Sequence, residues 1–239
     1  MELRSGDLPR MHDLLRPHDL LRLRAPADAR VPEPPDWVMP ALEEAPWVVV
    51  RRAAPVAGRV PVGIRGPRRD QRCAAAVDPA AILACVTPEA LARARAWETA
   101  ARSGHPALRA LAALAPRLDA TGLVWGVAGG AGFELATGRP VLREASDLDI
   151  VLRASFPLPV DALRQAAAAC EAALPPVPGR APAARVDARV DALVETPLGA
   201  FALAEFCGDG DTLLLRGAGG PRLVMRAELE RPAERAEAS

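Results

Sequence analysis

The sequence predicts an α/β (α+β) protein with two domains, an N-terminal β-containing domain over residues 1–103 and a second domain over residues 104–239. In the first part, an apolar β-branched run from Trp47 to Val50 indicates a strand. In the second part, strand-like alternation and helical leucine spacing follow each other repeatedly. That succession is typical of strands and helices packed in one domain.

The N-terminal domain is expected to hold a strand over residues 47–52, which ends in two arginines, and another over 59–64. Residues 65–72 contain four arginines and predict a loop or turn. Thr87-Pro88-Glu89 then has the features of a helix start: a hydroxyl N-cap, a proline in the first turn and an acid near the helix dipole. This helix is expected to continue to about residue 101, which places the domain boundary near residue 104.

The C-terminal domain is predicted to begin with an amphipathic helix, because four leucines share one helical face: Leu108, Leu111, Leu114 and Leu118. A short strand over 123–125, a glycine turn over 126–132 and a short helix that ends at Gly138 follow. Strict alternation predicts further strands over 146–152 and 186–195, separated by an alanine-rich helix over 161–174. The last strands are expected over 200–203 and 212–216.

The amino-acid composition argues against several classes of function. The 30 basic residues, all arginine, balance 30 acidic ones, so the whole molecule has no field that would attract nucleic acid or an anionic membrane. No apolar run is long enough to span a bilayer. The four cysteines are scattered and form no C-x-x-C pair, which argues against a zinc knuckle or a disulfide framework. We therefore expect a soluble cytoplasmic protein that binds anions only locally.

Two carboxylates stand out within the strand predicted over 146–152. Asp147 and Asp149 point to the same face, about 7 Å apart along the backbone, and can converge on a shared magnesium ion. A third carboxylate from a neighbouring strand would complete the site, and Asp191 is the first choice, with Asp187 as the alternative. With two metal ions about 4 Å apart, one activates an attacking oxygen and the other neutralises a leaving pyrophosphate.

The glycine turn before this strand provides a second part of the predicted site. Gly129 and Gly130 lack side chains and open a helix, so their backbone N–H groups can approach a phosphate. Taken singly, a D-x-D strand, a glycine turn and a charged strand face each have ordinary structural explanations. Their occurrence in this order favours a catalytic site.

These motifs resemble the nucleotidyltransferase fold shared with DNA polymerase β. More narrowly, the chain resembles the malonate decarboxylase holo-[acyl carrier protein] synthases, which are phosphoribosyl-dephospho-CoA transferases. The matching segments span nearly the whole chain and comprise residues 16–21, 61–66, 71–72, 132–138, 146–149 and 195–200. The resemblance implies a C-terminal nucleotidyltransferase-like domain with a mixed sheet that carries the carboxylates, and a substrate cleft between the domains.

The resemblance also implies a reaction. Such an enzyme takes 2′-(5″-triphosphoribosyl)-3′-dephospho-CoA, joins its phosphoribosyl-dephospho-CoA part to a serine of the malonate decarboxylase acyl carrier protein, and releases pyrophosphate. Asp147 and Asp149 would ligate Mg²⁺, and Asp191 would help deprotonate the serine or hold a second ion. The expected substrate-binding residues are Gly129, Gly130, Ser146, Arg65 and Arg72, the arginines because a guanidinium forks onto phosphate oxygens.

One departure from the pattern concerns the glycine turn, where related transferases usually have Gly-Ser and this chain has Gly129-Gly130. We expect weakened triphosphate binding through backbone N–H groups. Two alternatives stay open at this stage: a small nucleotidyltransferase that uses ATP, and a catalytically silent member of the fold that only binds nucleotide or a partner protein.

Overall fold

The computed structural model describes residues 14–55, 57–172 and 189–230. The chain divides into two compact units, residues 1–87 and 88–239. The sequence analysis placed the boundary near residue 104. The division falls earlier because the helix that starts at Pro88 packs on the second unit: a Cβ at Gly126 would lie 2.2 Å from the carbonyl carbon of Pro88.

In the described residues, the first unit is an antiparallel six-stranded sheet with one α-helix and two short 3-10 helices. Its helix, α1, covers Val38–Glu44. The strands, ordered β2-β5-β4-β3-β1-β6, are β1 Leu20–Leu23, β2 Ala29–Arg30, β3 Trp47–Val50, β4 Val60–Arg65, β5 Arg72–Val77 and β6 Ile82–Val86. Strands β3 and β4 confirm the two predicted strands. The others were not predicted, and β5 occupies sequence that follows directly on the predicted arginine loop.

Alternation explains the core of this unit. In β4, Val60, Val62 and Ile64 are buried, whereas Pro61 and Gly63 are half-buried on the other face. The buried face meets Val38 and Leu42 of α1 within one hydrophobic cluster. Burial of these aliphatic side chains, each worth about 1.5–3 kcal/mol, is what holds the helix on the sheet.

The second unit is a mixed six-stranded sheet with helices, as the sequence predicted. Its helices are α2 Pro88–Arg93, α3 Pro106–Ala120, α4 Gly129–Thr137, α5 Val160–Ala172, α6 Leu203–Cys207 and α7 Arg226–Glu230. Its strands, ordered β12-β11-β10-β9-β8-β7, are β7 Val124–Val127, β8 Leu148–Arg153, β9 Val190–Thr196, β10 Gly199–Ala202, β11 Thr212–Gly217 and β12 Gly220–Met225. Strands β8 and β9 run parallel, and the other neighbours are antiparallel.

Helix α2 is shorter than predicted. It ends at Arg93, and Arg95 has a φ of +45°, so the chain leaves the helix instead of continuing to residue 101. The turn carries Trp97 into the core, where it is 2% exposed. Burial of a large aromatic side chain outweighs the propensity of an alanine- and arginine-rich segment to stay helical.

The sheet of the second unit is covered on both faces near β8. Leu148, Ile150 and Leu152 are buried in one cluster with leucines of α3 and α5. Val151, on the opposite face, is also buried, and its register partner in β7 is Gly126, the residue that meets Pro88 of α2. None of the helices in the described residues is long and apolar enough to cross a membrane.

Candidate active site

The predicted carboxylates meet at the start of the parallel strand pair. Asp149 lies in β8 and Asp147 just before it, and both are half-buried. Asp149 is the register partner of Asp191 in β9. Side chains of register partners in neighbouring strands lie on the same face with backbones about 4.8 Å apart. The sheet therefore brings Asp149 and Asp191 side by side, while Asp187 lies outside the described residues.

Gly129 touches the Asp149 carboxylate. A Cβ on Gly129 would lie 1.7 Å from Asp149 Oδ2, and the backbone of Gly129 has a φ of +58°. The neighbouring Ala128 N–H donates to the Asp149 carbonyl oxygen at 2.9 Å, which fixes the turn against the strand. Only glycine fits here, both for its backbone conformation and for the space that the carboxylate takes.

Helix α4 begins at this contact. Gly129 and Gly130 are its first two residues, and its N-cap, Ala128, supplies no side-chain hydrogen bond. The N–H groups of a first helical turn have no partner within the helix and carry a partial positive charge. The geometry thus suits an anion next to the carboxylates, as the glycine turn predicted. The binding of a substrate by the N–H groups of Gly129 and Gly130 remains a prediction.

Arg189 is a site residue that the sequence analysis did not select. Its Nη2 lies 2.6 Å from Asp191 Oδ2. The pKa of Arg189 is raised, first by this hydrogen bond and the charge of Asp191, then by the charges of Asp147 and Asp149. Arg189 and Asp191 are two positions apart in the strand predicted over 186–195, so alternation places them on one face, and this spacing is the signal that could have identified Arg189.

The three aspartates do not form a preformed metal centre in the described ranges, where no three His, Cys, Asp or Glu side chains are grouped closely enough to hold an ion. The negative charges of all three nevertheless stabilise the protonated guanidinium of Arg189 and raise its pKa. The local electrostatics therefore favour a cation at this end of β8 and β9.

The loop that leads to Asp147 is tied to buried Glu134 in α4. Glu134 Oε2 accepts the N–H groups of Val141 and Leu142 at 2.8 and 2.9 Å. Arg102 Nη1 donates to both Glu134 oxygens, at 3.2 and 3.0 Å, and Arg102 Nη2 donates to the Leu142 carbonyl oxygen at 3.0 Å. Charge-assisted bonds of this kind are stronger than neutral ones, so they hold the loop firmly.

Ser146 closes the same loop as a turn. Its hydroxyl accepts the Arg143 N–H at 2.8 Å, and its own N–H donates to the Arg143 carbonyl oxygen at 2.8 Å. His105 Nδ1 accepts the Ala107 N–H as the N-cap of α3, so the ring proton is on Nε2, which lies 3.1 Å from the same carbonyl oxygen. The structure gives Ser146 a structural role next to Asp147, and its predicted substrate contact stays a prediction.

A buried ion pair lies at the other end of β8, on the carboxylate face. Arg153 Nε is 2.6 Å from Glu89 Oε1 of α2, and the two side chains are 11% and 4% exposed. The register partner of Arg153 in β9 is Glu195, itself 7% exposed. This pair fastens α2 to the sheet at the end of β8 that lies away from the aspartates.

The two selected arginines belong to the first unit. Arg65 and Arg72 are register partners at the end of the β4–β5 hairpin, and Arg72 Nη1 donates to the Gln71 carbonyl oxygen at 2.9 Å. The same unit has an open cavity of about 580 Å³, to which Arg30, Arg59 and Ala74–Ala76 contribute. Neither Arg65 nor Arg72 is among its lining residues.

The chain has a mixed α/β fold, and its family matches identify it as a transferase. The chain matches the phosphoribosyl-dephospho-CoA transferase MdcG N-terminal domain over residues 16–88 and the MdcG C-terminal domain over residues 90–227. It therefore belongs to the phosphoribosyl-dephospho-CoA transferase family, which confirms the resemblance and the activity inferred from the sequence. The two domain matches meet within α2, close to the boundary between the two compact units.

Relatives match along most of the chain. A phosphoribosyl-dephospho-CoA transferase of Pseudomonas putida (strain GB-1) is 41% identical over 216 residues, 90% of this chain and 93% of the relative. One of Azotobacter vinelandii is 42% identical over 221 residues, 91% of this chain and 93% of the relative. One of Klebsiella pneumoniae (strain 342) is 40% identical over 206 residues, covering 86% and 90%. No solved structure matches the chain.

Proposed function

We propose that this transferase installs phosphoribosyl-dephospho-CoA on the malonate decarboxylase acyl carrier protein at a magnesium site formed by Asp147, Asp149 and Asp191. The proposal depends on one observation above all, the register pairing of Asp149 with Asp191 beside the N-terminus of α4. Family membership favours this reaction over the two alternatives, an ATP-dependent nucleotidyltransferase and a silent binding protein. We place the activity in the cytoplasm.

Two carboxylates together with a substrate phosphate would suffice for a magnesium ion, although the described residues contain no preformed group of three ligands. Mg²⁺ prefers hard oxygen ligands and commonly uses one or two carboxylates together with substrate phosphates. Asp147, Asp149 and Asp191 supply carboxylate oxygens, and their charges already raise the pKa of a cation, Arg189, at that place. When bound, Mg²⁺ would neutralise charge on the phosphate oxygens and on the departing pyrophosphate.

The chain's own residues would then position the donor and move one proton. The N–H groups of Gly129 and Gly130 would bind donor phosphate oxygens at the start of α4. One oxygen of Asp191 would accept the proton from the carrier serine Oγ as that serine oxygen bonds to the α-phosphorus, and the other Asp191 oxygen would remain available to the ion. The bond between the α-phosphorus and the bridging oxygen breaks in line, and pyrophosphate takes the electron pair. Asp149, which packs closely against Gly129, would stay beside Asp191 during this step.

The decisive experiment combines the purified chain, Mg²⁺, triphosphoribosyl-dephospho-CoA and the apo carrier subunit. We expect release of one pyrophosphate per carrier and a carrier mass increased by phosphoribosyl-dephospho-CoA. Asp147→Asn and Asp149→Asn should abolish transfer, because each removes a negative ligand without changing side-chain size. Asp209→Asn is the matched control, since Asp209 is exposed and lies in the turn before β11.

Two results would contradict the proposal. Transfer that persists in Asp149→Asn, or that is unaffected by a chelator, would remove the metal role of this carboxylate. No transfer by the folded wild-type chain, together with turnover of ATP, would favour the small nucleotidyltransferase instead.

A further inference from the structure

Arg189 is anchored by its backbone to the strand that carries Asp149. Its carbonyl oxygen accepts the N–H of Leu148 at 2.8 Å. Leu148 directly precedes Asp149, whose register partner is Asp191. Its guanidinium, at 2.6 Å from Asp191 Oδ2, takes the place next to a proposed metal ligand. A positive side chain therefore lies next to the Asp191 carboxylate.

Packing does not hold this side chain in place. The Arg189 side chain is 72% exposed and that of Asp191 is 41% exposed, in contrast to the buried pair formed by Arg153 and Glu89. An exposed ion pair is weak and opens readily, because water and salt compensate both partners. Arg189 is thus a cation that the site attracts but that can leave.

We propose that Arg189 is an internal counter-ion that competes with the divalent metal for Asp191 and, once displaced, binds the phosphates of the donor. The proposal rests on the metal site proposed above. A divalent ion at Asp191 meets the guanidinium at close range, and the two positive charges repel each other. The displaced guanidinium remains tied to the first residues of β9, where its planar fork suits phosphate oxygens.

Arg189 would therefore weaken metal binding in the absence of donor and strengthen phosphate binding in its presence. Without donor, Arg189 lowers the affinity for the metal because it pairs with the Asp191 carboxylate. With metal and donor bound, it adds a positive group for phosphate charge that develops on the leaving pyrophosphate. A residue with a purely structural role would not change metal and phosphate affinity in opposite directions.

The test measures Mn²⁺ binding to the full chain without donor, by the electron paramagnetic resonance of free Mn²⁺, and then binding of inorganic pyrophosphate at saturating Mn²⁺. The main variant is Arg189→Ala, and Arg189→Lys retains the charge. Arg222→Ala is the matched control, because it removes one exposed arginine from β12, an edge strand of the same sheet that is separated from β9 by two strands. Asp149→Asn reports whether Mn²⁺ occupies the carboxylates.

We expect Arg189→Ala to bind Mn²⁺ roughly two- to fivefold more tightly, the range expected when an exposed ion pair is removed. Pyrophosphate should bind this variant about tenfold more weakly, since a charge-assisted contact is lost. Arg189→Lys should stay close to the wild type in Mn²⁺ affinity, and Arg222→Ala should match it in both measurements.

Two other outcomes overturn the proposal, and they are distinguishable. Equal Mn²⁺ affinity in wild type, Arg189→Ala and Arg222→Ala, with binding lost in Asp149→Asn, rejects the counter-ion role and leaves the metal site standing. Absence of Mn²⁺ binding in the wild type, or undiminished binding in Asp149→Asn, rejects the metal site together with the inference.

Discussion

The Asp149 carboxylate occupies the space that a side chain at Gly129 would need, with Oδ2 only 1.7 Å from the position of a Cβ. Gly129→Ala should therefore act in two ways. Alanine at a φ of +58° costs about 1–2 kcal/mol in the free energy of unfolding, and Asp149 must also move away. We expect transfer and Mn²⁺ binding to fall at least tenfold.

A matched variant separates the two effects. Gly138, the C-cap of the same helix, has a φ of +71°, and no atom lies within 4 Å of the place that a Cβ would take there. Gly138→Ala should lose a similar free energy of unfolding in urea but keep transfer and Mn²⁺ binding. Equal activity loss in both variants would mean that backbone strain, and not the contact with Asp149, decides the effect.

Much of this site could be predicted because its patterns are local. Period-two alternation places Asp147 and Asp149 on one face, and the parallel register then sets Asp191 beside Asp149. The contact of Gly129 with Asp149 joins residues from different elements, and the ion pair of Arg189 depends on a side-chain conformation. The periodicity of the sequence therefore predicts neither the contact of Gly129 with Asp149 nor the ion pair of Arg189.

The unpredicted strands show the same limit. β5 has the sequence Arg-Cys-Ala-Ala-Ala-Val, which lacks the run of β-branched residues that identifies a strand. It is a strand because β4 and β2 pair with it on both sides. The end of α2 is likewise decided by burial of Trp97, a tertiary effect that helix propensity does not contain.

The buried pair of Arg153 and Glu89 predicts a large stability difference. Glu89→Gln removes the carboxylate charge that Arg153 Nε contacts at 2.6 Å, and loss of one partner of a buried pair costs about 3–5 kcal/mol. The measurement is urea unfolding of the full chain. Glu98→Gln is the control, because its 3.9 Å pair with Arg95 is exposed and should contribute less than about 0.5 kcal/mol. Similar effects of both variants would show that α2 is not held by this pair.

Replacement of Arg65 is predicted to weaken donor binding without a comparable loss of stability. As cross-strand partners, Arg65 and Arg72 place like charges opposite each other, which is destabilising. Arg65→Ala should thus keep the free energy of unfolding within about 0.5 kcal/mol of the wild type. If Arg65 contacts donor phosphate, KM for the donor rises about tenfold, since a charge-assisted bond is lost. Arg68→Ala, which breaks an exposed pair with Asp70, is the control and should leave KM unchanged.

His105 makes stability depend on pH. Burial, and then the charge of Arg102, lower the pKa of His105, so the folded protein binds fewer protons at this residue than the unfolded chain does. Protonation would also remove the Nδ1 lone pair that accepts the Ala107 N–H. The stabilisation is therefore fully present above the unfolded pKa of about 6.5 and is lost as pH falls through the lower folded value.

Protonation of His105 is also expected to affect the loop before Asp147, because His105 Nε2 lies 3.1 Å from the Arg143 carbonyl oxygen of that loop. We expect the free energy of unfolding of the wild type to decrease between pH 7 and pH 5. His105→Asn keeps an oxygen that can cap α3 but does not titrate, so its curve should be flatter by the His105 contribution. Parallel curves for the two proteins would show that protonation of other groups causes the acid sensitivity. Urea unfolding at each pH measures the free energy of unfolding. Transfer assayed without urea at the same pH values tests whether protonation of His105 also slows the reaction.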